Sequence, residues 1–140
     1  MSELIEYKTD KSGLAESDIL NLYQKVGWTV YTNDPQKLMR ALENSRDVIT
    51  AWQDETLVGL IRTVGDGETI IYIQDILVLP EYHRDRIGSV LLKKVLEKYP
   101  DVRQKVLLTD ETYITRQFYQ ANNFTNAEEL NLLCYVRIEG

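Results

Sequence analysis

The apolar positions of this chain change period from one segment to the next, and those changes mark out its elements. Residues 4–8 read as a short strand, and residues 9–13 turn the chain. Ile19, Leu22, Tyr23 and Val26 then fall at i, i+3, i+4 and i+7, the stripe of an amphipathic helix. Gly27 stops that helix, and residues 28–33 form a connector. Asp34-Pro35 predicts the next helix start, with Asp34 as cap and proline at the first helical position. Leu38 and Leu42 face inward, and the segment ends near residues 44–45. Residues 48–53 and 56–64 predict two strands joined by a tight turn at Asp54-Glu55. Asp66-Gly67 is a second hairpin signal before residues 69–79. Gly59, inside the second strand, predicts a bulge or close packing.

The chain is organised around residues 74–98. Ile70, Ile71, Ile73, Ile76, Leu77, Val78 and Leu79 make a dense apolar run, as in a strand buried on both faces. Pro80 ends it, because proline cannot donate to a sheet ladder. Residues 81–86 are polar and form a loop. From Ile87 the period becomes helical: Ile87, Val90, Leu91 and Val95 share one face, and Lys93, Lys94, Glu97 and Lys98 share the wet one. The first N–H groups of a helix lack partners within it, and its dipole places positive charge there, so an anion can sit on that end. Gly88 allows close approach of a ligand to the backbone, Arg84 and Arg86 add charge, and His83 adds a donor. The plain alternative is a surface loop with solvated arginines.

After this helix, Tyr99-Pro100-Asp101 breaks the chain. Residues 105–108 predict a short buried strand parallel to 71–79, since a helix separates the two, with a right-handed crossover. Ligands of such units sit near the carboxyl ends of the parallel strands, here Val78 and Thr109. Residues 112–122 predict a further helix, with Asn123 as a left-handed cap. Residues 130–138 predict a last strand, antiparallel to 105–108. This order describes an α/β protein with a mixed (α+β) sheet, expected as a single domain over 1–140.

Composition narrows the function. Hydrophobic content of 44% and charged content of 27% describe an ordinary soluble globular protein. A net charge of −6 argues against general nucleic-acid binding, which wants a basic patch. One cysteine, Cys134, rules out an internal disulfide and a cysteine-rich metal site. No apolar run reaches membrane-spanning length, and no signal-peptide core opens the chain, so no membrane partner and a cytoplasmic location are expected.

The 74–98 stretch resembles the cofactor motif of the GNAT superfamily of N-acetyltransferases: Gln/Arg, two variable residues, Gly, one variable residue, then Gly or Ala, after a strand and at a helix start. The matching residues are His83, Arg84, Asp85, Arg86, Ile87 and Gly88, followed by Ser89. The second glycine is present. Arg86 replaces the first, and His83 replaces the leading Gln/Arg. Arginine favours a negative φ that glycine need not adopt, so a changed loop shape or affinity is expected at Arg86. A second signature is similar to FYQANNF, in which Tyr119 matches a tyrosine beside the thioester sulfur and Asn123 replaces a glycine. The resemblance covers residues 4–138 and implies an acyl-CoA N-acyltransferase fold of about six to seven strands and about four helices. It implies acetyl-CoA as cosubstrate, with pantetheine on the backbone of Ile76, Leu77 and Val78 and phosphates on residues 83–89. No metal is expected.

The implied reaction is transfer of acetyl to a primary amine of a small molecule by direct attack. Tyr119 would protonate the departing thiolate, and a backbone N–H near Leu77 or Val78 would polarise the carbonyl. The attacking amine must be neutral, so a proton must leave it, and Asp75 is the candidate base; the alternative is a structural acceptor at the sheet surface. The 28–33 connector offers Trp28 and Tyr31 to an acceptor, since an aromatic face attracts a cation, or else closes them over the core. The resembling family builds part of its acceptor site there. Polyamines, amino-acid-like amines, aromatic amines, antibiotics and protein N-termini all remain open as acceptors. A protein N-acetyltransferase and a non-catalytic acyl-CoA-binding regulatory module are the alternative readings. Resembling proteins are often dimers, and the last strand is a candidate contact for a homodimer.

Overall fold

The structure, a computed structural model, describes residues 4–139; residues 1–3 and 140, the ends of the expected 1–140 domain, lie outside the described residues. The chain gathers into two compact units that divide between Leu108 and Thr109. The first unit runs β1 (Glu6–Lys8), α1 (Glu16–Lys25), α2 (Thr29–Thr32), α3 (Pro35–Asn44), β2 (Asp47–Gln53), β3 (Thr56–Gly65), β4 (Ile70–Val78), a 3-10 turn (Pro80–Tyr82), α4 (Ile87–Lys98) and β5 (Gln104–Leu107). Its sheet follows chain order, β1-β2-β3-β4-β5. All neighbours are antiparallel except β4 and β5, which are parallel, as expected for strands joined through a helix.

The helices cover both faces of this sheet. On β3 the alternation of side chains sends Gly59 and Arg62 to opposite sides. A Cβ on Gly59 would meet Ile87 Cγ2 at 2.9 Å and Leu91 Cδ1 at 3.4 Å, so glycine lets α4 lie close on that face. Arg62 meets Asp75 and, through it, Tyr23 of α1 on the other. Most of the apolar stripe the sequence predicts is buried: Ile19, Leu22 and Tyr23 from α1, Leu38 and Leu42 from α3, and Ile87, Leu91 and Val95 from α4, joined by Leu92 from outside the stripe, while Val26 and Val90 are half-buried. Asp34 caps α3 by accepting the Lys37 N–H at 3.2 Å, with Pro35 as the first helical residue.

The second unit holds α5 (Tyr113–Ala121) and a 3-10 turn (Ala127–Leu130). Thr112 and Thr115 form a reciprocal capping box at the start of α5. Asn123 follows the helix at φ +67°, the left-handed position anticipated for it.

Some expectations are corrected. Among the described residues five strands form rather than six or seven, and five α-helices rather than about four. The first strand spans Glu6–Lys8 alone. The connector after α1 is itself one helical turn, α2. Residues 130–138 form no strand: their alternation is strand-like, but a strand exists only where its N–H and C=O groups find a partner strand.

Candidate functional site

The site is built where β4 outruns β5. The two strands pair from Ile70↔Gln104 to Ile73↔Leu107, and there the pairing stops. β4 continues to Val78. Over residues 74–78 its β5-facing edge has no neighbouring strand among the described residues. β3 takes the backbone groups of alternate residues, so the others turn toward the opening. An extended ligand with amide groups can add there as a strand would.

A bulge sits at the mouth of the opening. β3 and β4 pair Thr63↔Ile73 and then Arg62↔Asp75, which leaves Gln74 without an opposite residue. The extra residue reverses the alternation. Ile73 keeps the facing of Thr63, and Asp75 takes that of Arg62. Asp75 therefore points into the α1 face instead of sharing a side with Ile71 and Ile73.

The loop after β4 leads into a helix start suited to anions. Ile87, Gly88 and Ser89 are the first residues of α4, and their N–H groups precede the first intrahelical bond, Val90 N–H to Arg86 O at 3.1 Å. His83, Arg84, Asp85 and Arg86 are exposed. Neither Arg84 nor Arg86 has a carboxylate ion pair among the described residues. Arg86 stands at φ +59°, a left-handed conformation that glycine adopts more easily than arginine. That corrects the expected negative φ. The backbone strain sits at the arginine. His83 gives Nε2 to the Val78 carbonyl at 2.9 Å, which leaves Nδ1 for any other partner. Ile87 is buried, so the backbone is the part of it facing the loop. Free helix N–H groups, a close-approach glycine and two unpaired cations fit a pyrophosphate.

An aromatic face lies beside the bulge. Tyr23, Trp28 and Tyr31 form an aromatic cluster with ring centroids 5.5 to 6.1 Å apart. Trp28 and Tyr31 are half-buried, so each offers part of its ring to solvent while packing on Tyr23. Gln74 gives its side-chain N–H to the Tyr31 hydroxyl at 3.2 Å. Below the cluster, Asp75 Oδ2 accepts from Arg62 Nε at 2.7 Å and from the Tyr23 hydroxyl at 2.8 Å. Arg62 also reaches Ser45 Oγ at 3.3 Å. Asp75 Oδ1 is buried and has no hydrogen-bond partner among the described residues. Burial and the Asp75 charge push the Tyr23 phenol far above its usual range. Burial works to lower the Arg62 guanidinium, but the adjoining Asp75 carboxylate raises it on balance.

In the second unit Tyr119 packs edge-on against Phe118 and Phe124, with centroids at 5.0 and 5.9 Å. Burial raises its phenol above the usual value, against a hydrogen bond with Thr109 that lowers it.

Of the residues singled out in the sequence, Ile76, Leu77 and Val78 lie on the open stretch of β4, and residues 83–89 span the loop and helix start. Trp28 and Tyr31 meet at the bulge, and Asp75 lies beneath them. Tyr23, Arg62, Ser45 and Gln74 were missed. The available signal was a lone arginine in one apolar strand and a lone aspartate in the next. Among the described residues no cluster of His, Cys, Asp and Glu could hold a metal, and no helix is long and apolar enough to cross a membrane.

The family model described as Acetyltransferase (GNAT) family matches residues 15–124. A solved acetyltransferase of that family, protein SP0256 from Streptococcus pneumoniae TIGR4, is 34% identical at a TM-score of 0.86, covering 97% of this chain and 98% of that one. Aminoglycoside N-acetyltransferase AAC(6')-Iy, solved in complex with CoA, superposes at a TM-score of 0.76 over 100% of this chain and 98% of its own. An aminoglycoside acetyltransferase from an uncultured soil metagenomic sample, meta-AAC0020, solved in complex with sisomicin, does so at 0.68 over 96% and 97%. At 16% and 18% identity these two share the fold alone. FG08082 of Gibberella zeae, provisionally named an acetyltransferase, is 35% identical over 66 residues, 45% of this chain. The chain thus spans 36% of that curated relative's length.

Proposed function

The chain belongs to the GNAT acetyltransferase family, and from that premise we propose that it transfers the acetyl group of acetyl-CoA to a primary amine of a small molecule by direct attack. The observation that carries this reading is the opening of the sheet: β4 passes β5, bulges at Gln74 and runs with a free edge to a helix N-terminus flanked by unpaired arginines. The backbone of Ile76, Leu77 and Val78 is the proposed seat of the pantetheine amides. The N–H groups of residues 87–89, with His83, Arg84 and Arg86, are the proposed seat of the phosphates, and Asp85 and Gly88 shape that loop.

Bound acetyl-CoA supplies an activated thioester. An N–H on the free edge near Leu77 or Val78 stabilises negative charge on the carbonyl oxygen as the amine adds. Tyr119 gives its proton to the departing sulfur; its half-buried, raised phenol supports this role, because it stays protonated across the working range. The amine must lose a proton, and Asp75 is the proposed acceptor. Its Oδ2 is committed to Arg62 and Tyr23, so the proton goes to Oδ1. Trp28 and Tyr31 are the proposed walls of the acceptor subsite, which favours a cationic amine.

The test is thiol release from acetyl-CoA across a panel of primary amines, with and without Tyr119→Phe. One amine class should drive release in the native chain. The variant should lose roughly 10²-fold in kcat with unchanged acetyl-CoA affinity by calorimetry. Full turnover by the variant would overturn the general-acid assignment. Silence with every amine, acetyl-CoA still binding, would overturn the small-molecule reading.

A further inference from the structure

The bulge in β4 lets two consecutive side chains serve one face of the sheet. In a regular strand, neighbours face opposite sides. Asp75 is buried on the α1 face, against Arg62 and Tyr23. Gln74 stands opposite no residue of β3, and its side chain reaches Tyr31, which packs on Tyr23 of α1. The extra residue of a bulge is what re-aims a side chain in this way. α2, the element that Gln74 reaches, is a single helical turn. It has no side-chain cap and no buried residue, and its Val30 is 83% exposed. One turn of helix does not hold itself in water, so its position comes from what it touches. Those contacts include the edge-on packing of Trp28 and Tyr31 against Tyr23, and the hydrogen bond between the Gln74 amide and the Tyr31 hydroxyl at 3.2 Å.

We propose that Gln74 is a positioning residue that sets amine selectivity, by holding Tyr31 at a fixed distance from Asp75 and from the free edge of β4. This rests on the reading of Trp28 and Tyr31 as walls of the acceptor subsite. Ring packing is short-ranged and tolerates some sliding, whereas a hydrogen bond weakens steeply away from its preferred geometry. The Gln74 bond therefore adds the restraint that the rings lack. Gln74 and Asp75 share one peptide bond, so the wall and the proposed proton acceptor keep a common frame. An amine that fills the gap between Tyr31 and β4 is presented to Asp75. A bulkier amine must push α2 outward and break the Gln74 bond, which costs affinity.

Gln74 is exposed, so Gln74→Met, which keeps the side chain's length and deletes its amide, should fold with an unchanged thermal midpoint. The first readout needs no turnover. Trp52 is 5% exposed and Trp28 is half-buried, so acrylamide quenching of tryptophan fluorescence reports Trp28. Gln74→Met and Tyr31→Phe should each raise the quenching constant, and the double variant should raise it no further than either alone, because both delete the same bond. The second readout uses the amine class that thiol release identifies. Gln74→Met should raise the amine KM by roughly 2- to 10-fold, the span of one hydrogen bond, with kcat and the KM for acetyl-CoA kept. Its kcat/KM should fall less for a bulkier amine of the same class. Tyr31→Phe should raise the amine KM alike, and the double variant no more than either. Unchanged quenching in Gln74→Met, additive effects in the double variant, or an equal fall for every amine would overturn the proposal. So would a fall in kcat with the amine KM kept, which would put Gln74 to work on Asp75 instead. Raised quenching in a chain that turns over no amine would strike the acceptor reading and the selectivity with it, leaving Gln74 as the holder of Tyr31 alone.

Discussion

Two buried aspartates sit on opposite faces of one sheet, each with a tyrosine and a cation, and they end differently. Asp47, on the α4 face, spends both oxygens: Oδ1 takes Lys98, and Oδ2 takes Thr63 Oγ1 at 2.7 Å and the Tyr99 hydroxyl at 2.6 Å. Asp75, on the α1 face, spends Oδ2 twice and, among the described residues, Oδ1 not at all. The partner cations differ as well. The Lys98 side chain is half in solvent, whereas Arg62 is almost wholly enclosed. An acid whose hydrogen bonds are complete holds a helix end to a sheet. An acid with one buried oxygen left open costs free energy that a purely structural group has no reason to bear. The difference separates a brace from a candidate for chemistry.

The sharpest break of that comparison removes one member of the buried pair. Arg62→Met leaves the Asp75 charge without its cation, and Asp75→Asn leaves Arg62 without its anion. Each is expected to lower unfolding free energy by about 3–5 kcal/mol in urea titrations. The double variant Arg62→Met/Asp75→Leu removes both charges and should fall within about 1 kcal/mol of the native chain, because a buried pair replaced by apolar groups is often neutral. It should nevertheless lose roughly 10²-fold or more in kcat/KM. A stable double variant with native turnover would make Asp75 a brace like Asp47.

These two clusters also mark how far the sequence could be read. Most of the helices and the central strands followed from periodicity, because Leu38, Leu42, Ile87 and Leu91 bury where a 3.6-residue stripe puts them. The candidate anion-binding helix start was equally local: Pro80, Arg84 and Gly88 lie in one short stretch of sequence. The pairing of Arg62 with Asp75 was not. The hairpin at Asp66-Gly67 sets Gly65 opposite Ile71, and counting back from there puts Arg62 opposite Gln74. The bulge shifts the count by one, and nothing in QDILV announces it. The reading of residues 130–138 failed for a related reason, since alternation specifies a strand's faces but not whether a partner edge is present. Arg86 failed in the opposite direction, because the loop's bonding holds an arginine where φ is positive.

A smaller effect comes from the brace. Asp47→Asn keeps the side chain's shape and leaves Lys98 in water, so the cost should be about 1–3 kcal/mol with kcat/KM unchanged. Its pH dependence carries the sign. Burial raises the Asp47 carboxyl, but hydrogen bonds from Lys98, Tyr99 and Thr63 outweigh it and hold the group below the usual carboxylate value of 3.8. Such a group adds stability that is fully present above that value and is lost as pH falls through the lower folded one. Thermal unfolding of the native chain should therefore steepen in its decline below about pH 4, and Asp47→Asn should remove that part of the slope. An unchanged acid slope would mean that Asp47 titrates alike in the folded and unfolded chain.

The finest distinction uses the two tyrosines. Tyr99→Phe and Tyr23→Phe each delete one hydroxyl that donates to a buried carboxylate, at 2.6 and 2.8 Å. Each deletion leaves its ring packed, so each should cost about 0.5–1.5 kcal/mol in unfolding experiments. Stability alone would therefore call the two sites equal. Turnover should not. Asp47 keeps Thr63 and Lys98 after losing Tyr99, so Tyr99→Phe should leave kcat/KM intact. Asp75 keeps Arg62 alone on one oxygen after losing Tyr23, and Tyr23 is also the ring against which Trp28 and Tyr31 pack edge-on. A carboxylate freed from one of two restraints samples more orientations, and misplacement of a reacting group is costly in rate. Tyr23→Phe should thus lower kcat/KM several-fold through kcat, with the KM for the amine little changed, because the aromatic ring that shapes the acceptor face is retained. A matched loss in both variants would place the effect in general loosening of the sheet. A loss in KM alone would move Tyr23 from holding Asp75 to contacting the acceptor itself.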